Sequence, residues 1–451
     1  MDTSGAAREI PFSNEEALAL FLDLKLSKAH ETGATVKLQS LLDHTATRIV
    51  KAINEEDVSK FSENLELIGK WGCDGSSGQA QYKQAFLSPS QSDSHMFMCP
   101  FVPIQIKDDQ GSIFWTNKQP SSTKFCRPIS FEYVKETPEV SKKYVEDING
   151  QILNLQEFTA HKDDKIFRIK YNLLSTMVDG KVVQVMTNTS LSACCPICKA
   201  SPKDMNILTK ISQRTISQEA LQYGLSSLHA WIRFMECILH VAYKIQIKCW
   251  SARTEEHKLI KNKEKQRIQE EFRTQTGLLI DMPKQGSGNT NDGNNARRFF
   301  EDPELTASIT KVDVELIRRF ATILKALASG REINGDMFEA YAMETAELFV
   351  SLYNWFYMPS SVHKILIHGR KFIEHFYVPI GQLSEEAQEA RNKDYKSIRE
   401  SHTRKISRKA TNEDLINLLL ATSDPVISAK RVFNAKKNNS TLDVDVLKLL
   451  I

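Results

Sequence analysis

From about residue 67 to residue 187 the chain is dense in β-branched and aromatic residues, whereas from about 200 to 370 its apolar residues recur at helical spacing. A fold for this sequence must therefore join a β-rich part to a long helical block. The stretches "HMFMCPFVPIQI", "SIFWTN" and "KFCRPISFEYV" read as strands, separated by turn signals such as "KDDQG" (107–111). The run "NLELIGK" (64–70) reads as another strand, leading into "DGSSG". A helix is predicted over "EVSKKYVEDINGQILNL" (139–155), then a strongly β stretch over 164–187. Strands, a helix and a further strand imply an α+β or α/β-like domain with a mixed sheet. The helical block carries "EALQYGLSSLHAWIRFMECILHVAYKIQ", "KVDVELIRRFATILKALAS" and "GDMFEAYAMETAELFVSLYNWF", with a polar loop at 283–295. A charged helix over 384–409 and a short C-terminal segment follow.

Ahead of the sheet, residues 1–12 read as disordered and 13–66 as helical, with Asn14 and the acids after it as a helix start. No internal repeat is visible. The 451 residues are 41% hydrophobic and 25% charged, which is ordinary for a soluble globular chain of two or three domains. A net charge of +3 is too mild to announce a nucleic-acid binder, so any basic site must be local. There is no 18-residue apolar run and no basic-then-apolar leader, so neither a membrane span nor a signal peptide is expected. The 8 cysteines then read as reduced thiols or metal ligands in cytosol or nucleus.

Two weak halves of a metal site stand out. Cys195 and Cys198 form a CxxC in "CCPICKASP", and His363 and His368 form an H-x4-H in "SVHKILIHGRKF". Either alone reads equally as buried thiols, a redox pair or ordinary histidines. Together they make a Cys2His2 set suited to Zn²⁺, with the imidazoles converging if the helix ends near Gly369. Such an ion would clip together the two ends of the helical block.

Three carboxylates make a second constellation. Asp74 lies mid-strand, Asp179 at the end of the later β stretch in "STMVDGKVV", and Glu389 on the charged helix. The "DG" at 179 also reads as a hairpin turn, and Glu389 also reads as part of a solvated helix face. Ser384 as N-cap would account for Glu385 and Glu386 but leaves Glu389 unexplained. Acids gathered in this way can hold two Mg²⁺ or Mn²⁺ ions about 4 Å apart, as phosphoryl transfer requires.

In order along the chain, "WGCDGSSG", "MVDGKVV", "CPIC", "LHAWIRFMECILHVAYKI", "GNNARRFF", "VHKILIH", "PIGQLSEEAQEARNK" and "TNEDLINLLLATSDP" resemble the Transib-type DDE transposases and the catalytic core of the V(D)J recombinase. The resemblance runs from about residue 36 to the end. It implies an RNase H-like mixed sheet interrupted by a large helical, zinc-tied insertion. Asp74, Asp179 and Glu389 fall on the family's catalytic, metal-binding acids. Cys195, Cys198, His363 and His368 fall on its structural zinc ligands. The implied insertion accounts for the 210 residues between the last two acids (389 − 179). Arg297 and Arg298 fall where the family places basic residues near the cleaved DNA. The implied reaction is metal-dependent nicking of double-stranded DNA at transposon ends, followed by strand transfer that leaves a hairpin. A homodimer acting in the nucleus, with no membrane, is implied as well.

The resemblance implies a division into a tail (1–12), a shortened N-terminal dimerisation and DNA-binding region (13–66), a sheet region with the first two acids (67–193), the helical insertion with the zinc site (194–370), the Glu-bearing helix (371–410) and a C-terminal segment (411–451). Relatives carry a longer basic stretch before the sheet, so a truncated, domesticated or decayed copy is an alternative expectation. In that case the chain would be a zinc-containing DNA-binding or interaction protein without catalysis. On the Glu389 helix and beyond it, Lys393, Arg399, Arg404, Lys405, Arg408 and Lys409 offer cations for phosphates, or alternatively a solvated charged helix. Charge reversal at Arg404 and Lys405 is expected to weaken DNA binding and flatten its salt dependence.

Overall fold

The computed structural model describes residues 27–79, 86, 88, 91–284, 288–430 and 442–451. Strands β1 (Ser27–His30), β2 (Gly33–Val36), β3 (Asn64–Ser77), β4 (His95–Asp108), β5 (Ile113–Thr116), β6 (Arg127–Glu132), β7 (Phe158–Lys162) and β8 (Lys165–Val178) form one mixed sheet. Its order is β1-β2-β6-β4-β3-β8-β7, with β5 beside β4. β3 and β8 run parallel, and the other pairs are antiparallel.

β3 is central, with Leu67, Ile68, Trp71 and Cys73 all buried, and its near-continuous apolar run reflects burial on both faces. Its register against β8 shifts between Lys70 and Gly72. At Gly72 the two backbones touch, because a Cβ there would stand 1.7 Å from the Met177 carbonyl oxygen. Beyond that bulge Cys73 pairs with Val178, which sets Asp74 beside Asp179.

Helix α1 (Leu38–Ala52) and helix α2 (Pro138–Leu153) cover the sheet. The helix α3 (Gly180–Met186) follows β8 at once, so the β stretch expected to reach 187 stops at Val178. Asp179 takes the intervening position as N-cap: its Oδ1 accepts from the N–H groups of Lys181 and Val182, both at 2.9 Å. It is a helix cap rather than a hairpin turn.

The helical block contains α4 (Ser227–Ala242), α5 (Glu255–Thr276), α6 (Gly293–Phe299), α7 (Pro303–Thr310), α8 (Val314–Ala328), α9 (Gly335–Tyr353) and α10 (Ser360–His375). It has its own core, in which the Phe234 and Phe320 rings meet edge to face at 4.6 Å and Phe272 stacks on Phe299 at 5.2 Å. The polar segment expected as loop over 283–295 is cut short when α6 begins at Gly293 with Asp292 as its cap. No helix among the described residues is long and apolar enough to cross a membrane.

Helix α11 (Glu386–Ser401) and helix α12 (Arg408–Thr422) return to the sheet. α12 lies against β1, where Asn412 donates to the His30 carbonyl at 2.8 Å, and Tyr133 donates to Asn412 at 3.0 Å. It crosses the boundary expected at 410/411, so the C-terminal segment is continuous with the sheet's packing.

The N-terminal expectation needs correction where it can be compared. The periodic run at 13–26 lies outside the described residues. Residues 27–36 are a β-hairpin instead of a helix, and of 53–66 only Glu55–Val58 is helical before β3 begins at Asn64. Gly33 permits the hairpin to join the sheet, since a Cβ there would lie 2.1 Å from the Phe131 carbonyl oxygen. The charged helix expected over 384–409 is two helices, broken between Ser401 and Arg408.

Candidate metal and nucleic-acid sites

The ligand atoms of Cys195, Cys198, His363 and His368 all lie within 4.8 Å of one another, and all four residues are buried. The CxxC turn is built by its backbone: Lys199 adopts φ 55°, its N–H donates to the Cys195 carbonyl at 2.9 Å, and Cys195 N–H donates to Ala200 at 3.0 Å. His363 Nε2 is 3.4 Å from Cys198 Sγ, and the two imidazoles are 5.1 Å apart. α10 runs on to His375, so the rings converge without the helix ending near Gly369. Gly369 serves packing instead, because a Cβ there would meet the Phe338 ring at 2.4 Å. A hydrogen bond from Cys195, with further ones from the imidazoles, holds the Cys198 thiol far below its ordinary range. Buried His368 Nε2 has no hydrogen-bond partner among the described residues. Two soft sulfurs, two imidazoles and an orphaned ring nitrogen in one buried cluster suit a zinc ion.

The three acids come from β3, the β8–α3 junction and α11. Burial, reinforced by Asp179, Glu136 and Glu389, pushes the Asp74 carboxyl up to about 7. Asp179, Glu136 and Glu389 thus each act on the Asp74 carboxyl, while among the described residues only the Cys/His cluster has its ligand atoms within 4.8 Å of each other. α11 begins at Glu386, which puts Glu389 in its first turn. Gln388 fastens this turn to both strands. With its amide turned to satisfy both neighbours, it donates to Met177 O at 3.1 Å and accepts from Asp74 N–H at 3.2 Å. Burial also raises the Glu389 carboxyl, against the opposing pull of His229.

Several residues at this site escape sequence reading. Glu136 lies over Gly75, where an added Cβ would meet its side chain at 2.6 Å, and its carboxyl is raised by burial and by Asp179. Glu385 is buried and faces α4, where its Oε1 takes His229 Nδ1 at 2.6 Å and the Ser226 hydroxyl. His229 Nε2 is then 3.9 Å from Glu389. Lys70, wholly buried on β3, donates to backbone carbonyls ahead of α11. The CxxC, the H-x4-H and the order of the acids carry a sequence signal; Gln388, Glu136 and Lys70 carry none.

The pairing of His229 with Glu385 has a pH signature. Burial works against the imidazolium, but the Glu385 hydrogen bond outweighs it and raises the His229 pKa. The same bond lowers the Glu385 carboxyl against its burial. A raised His contributes stability that is present below its unfolded value and lost as pH rises through its folded value; a lowered Glu contributes stability lost as pH falls through its folded value. His229→Ala is therefore expected to lose about 2 kcal/mol at pH 6, and less at pH 9, in urea melts. Equal losses at both values would contradict an ion pair.

The cations divide into groups. Arg297 pairs with Glu386 and lies 5.9 Å from the Trp231 ring centre, within the first turn's reach of Glu389. Arg298 is exposed and donates to the Thr276 carbonyl at 2.7 Å. Lys393 and Lys409 are exposed, and Lys393 stands one turn after Glu389. Arg399 departs from expectation: it is buried, pairs with Asp93 at 2.5 Å and stacks on Tyr133 at 4.2 Å. Arg408 shares Asp93 at 3.2 Å and stacks on Phe86 at 3.5 Å. Both guanidiniums hold α11 and α12 to the sheet rather than facing solvent. Arg404 is exposed but clamped by Asp414 at 2.7 Å and Glu413 at 3.2 Å, and Lys405 donates to the Arg399 carbonyl.

No protein family and no curated protein matches the chain. Among solved structures it is similar to a chain of the Drosophila P element transposase strand transfer complex. That likeness covers 92% of this chain and 86% of that chain, at 9% sequence identity and a TM-score of 0.30. A likeness at this level carries no weight for function, so the functional reading rests on the residues themselves.

Proposed function

We propose that the chain is a transposase-derived DDE recombinase core that nicks double-stranded DNA and transfers the freed strand to form a hairpin. Asp74, Asp179 and Glu389 hold two Mg²⁺ or Mn²⁺ ions, and Cys195, Cys198, His363 and His368 hold a structural Zn²⁺. The observation that supports the reading is that Asp74 within β3, Asp179 directly after the adjacent β8, and Glu389 on a helix whose Gln388 bonds to both strands lie on neighbouring elements although remote in sequence. The strand arrangement supports an RNase H-like fold: β6, β4 and β3 are successively antiparallel, with β8 parallel to β3. Hard carboxylate oxygens suit these cations, and the raised Asp74 pKa marks a place where positive charge is favoured.

When bound, the metal pair activates the attacking oxygen and stabilises the leaving one. The chain's own residues fix the geometry. Gln388 and the Gly72 bulge hold the acids in register, while Arg297 sits beside the Glu389 turn. Hydrolysis breaks one phosphodiester bond, with water supplying the phosphate's new oxygen and its proton completing the 3′-hydroxyl. That hydroxyl attacks a phosphodiester of the opposite strand: its oxygen bonds to the phosphorus, the bond from that phosphorus to the opposite strand's 3′ oxygen breaks, and the hydroxyl's proton ends on the released 3′ oxygen. DNA from transposon ends, a homodimer and nuclear action belong to the Transib and V(D)J resemblance.

The test is Mn²⁺- or Mg²⁺-dependent nicking of labelled duplex DNA. Wild type is expected to cut, and Asp74→Ala, Asp179→Ala and Glu389→Gln are expected not to. Nicking that persists in all three variants overturns the assignment; no cutting by wild type, with DNA still bound, favours the non-catalytic zinc protein.

DNA contact has its own prediction. Lys393→Glu and Lys409→Glu should each lower affinity and reduce the slope of log affinity against log salt by about 1. Arg404→Glu should do less, because Asp414 and Glu413 already balance that charge. Titrations over a salt series would contradict this if Arg404 mattered most.

A further inference from the structure

Just ahead of the Glu389 helix, three consecutive carbonyls each accept a hydrogen bond from a strand side chain. Lys70 Nζ on β3 donates to Gln382 O at 2.7 Å and to Ser384 O at 2.6 Å. Thr176 Oγ1 on β8 donates to Leu383 O, between them, at 3.1 Å. Lys70 is wholly buried, and among the described residues no carboxylate forms an ion pair with it. Burial pushes its ammonium down to about 7, against the opposing pull of Cys126, Glu385 and Glu386. A buried ammonium held only by backbone carbonyls is costly, and a methionine would fill similar volume without that cost. The placement gives the lysine a purpose: Lys70 precedes Asp74 by four residues, two repeats of the strand's same-face spacing, and its carbonyl partners lead directly into α11.

We propose that Lys70 and Thr176 form a carbonyl clasp that fixes where α11 begins, and so sets the distance of Glu389 from Asp74 and Asp179. Lys70 is thus a positioning residue for the metal-binding acids, an inference that rests on the proposed function of those acids. The clasp also ties the sheet to the helical block. Thr176 packs against Gly224, where a Cβ would lie 3.0 Å from its methyl group, and Lys364, next to zinc-cluster His363, donates to the Gly224 carbonyl at 3.2 Å.

Two readouts test it on the full-length zinc-loaded chain. In hydrogen exchange, the amides of residues 386–390 should exchange at least about tenfold faster in Lys70→Met than in wild type, and Thr176→Val should show a smaller rise, with β6 unchanged. In Mn²⁺ titrations followed by electron paramagnetic resonance, Lys70→Met should weaken binding by about 10- to 100-fold, the size expected when support behind a metal ligand is removed. The same substitution in a Glu389→Gln background should add almost nothing, because its effect passes through Glu389. Wild-type exchange over 386–390 in Lys70→Met, or an equal affinity loss in both backgrounds, overturns the clasp. If wild type binds no Mn²⁺, the reading of the acids fails and the exchange result alone decides the clasp. If Lys70→Met does not fold, Thr176→Val decides it by the same two measurements.

Discussion

Cys198→Ala should release zinc and lower the melting temperature by roughly 10 °C or more, with the helical block losing order first. The four ligands close a loop of 165 positions between Cys198 and His363. A covalent cross-link closing about 100 residues is worth about 5 kcal/mol in chain-entropy terms, and a zinc clip acts on the unfolded chain in the same way. Losing it also leaves Cys195, His363 and His368 buried without a common partner. The damage should spread to the acids, because Lys364 beside His363 holds the Gly224 carbonyl, and Ser226 and His229 follow that turn to meet Glu385. Chelator titration with zinc quantified by mass spectrometry and melting followed by circular dichroism checks this. An unchanged melt after full chelation would reduce the cluster to buried thiols and imidazoles.

Asp74→Asn should abolish nicking, by about 10³-fold or more, while making the metal-free protein more stable at pH 8. The two effects have opposite signs for one reason. Burial and the neighbouring acids raise the Asp74 pKa from its usual value to about 7. A raised carboxyl contributes stability below its unfolded value and loses it as pH rises through the folded value, so the charged form is a burden above pH 7. After discounting for solvent screening at a half-buried group, the relief from Asp74→Asn is about 1–2 kcal/mol at pH 8 and vanishes near pH 4. Added Mn²⁺ should reverse the order by stabilising wild type and leaving the variant unmoved. Urea melts at the two pH values, with and without metal, read all of this; a variant less stable than wild type at pH 8 would mean that Asp74 is a structural carboxylate.

What was legible in the sequence was what periodicity and spacing encode. The strand leading to Asp74 and the long helical block follow from apolar patterning, and the CxxC with its distant histidines follows from ligand chemistry. Asp179 was legible as an acid at the end of a strand, but its role as helix cap was not, since "DG" suits a hairpin as well as a cap. The edge hairpin at 27–36 was read as helix because its apolar spacing is compatible with either, and what decides it is the fit of Gly33 against β6, a contact remote in sequence. Arg399 and Arg408 looked like phosphate ligands because a run of cations does not reveal that Asp93 waits inside the fold. Gln388, Glu136, Lys70 and the pair formed by His229 and Glu385 were illegible for the same reason: each acquires its role only when β3, β8, α4 and α11 are brought together.

The central claim is that Asp74, Asp179 and Glu389 meet around a pair of divalent ions. Anomalous diffraction from crystals of the wild-type chain soaked in Mn²⁺ tests it most directly. The account predicts two Mn²⁺ peaks about 4 Å apart among Asp74, Asp179 and Glu389. Peaks only at the Cys/His cluster, or Mn²⁺ bound with Glu389 still turned to His229, would contradict it.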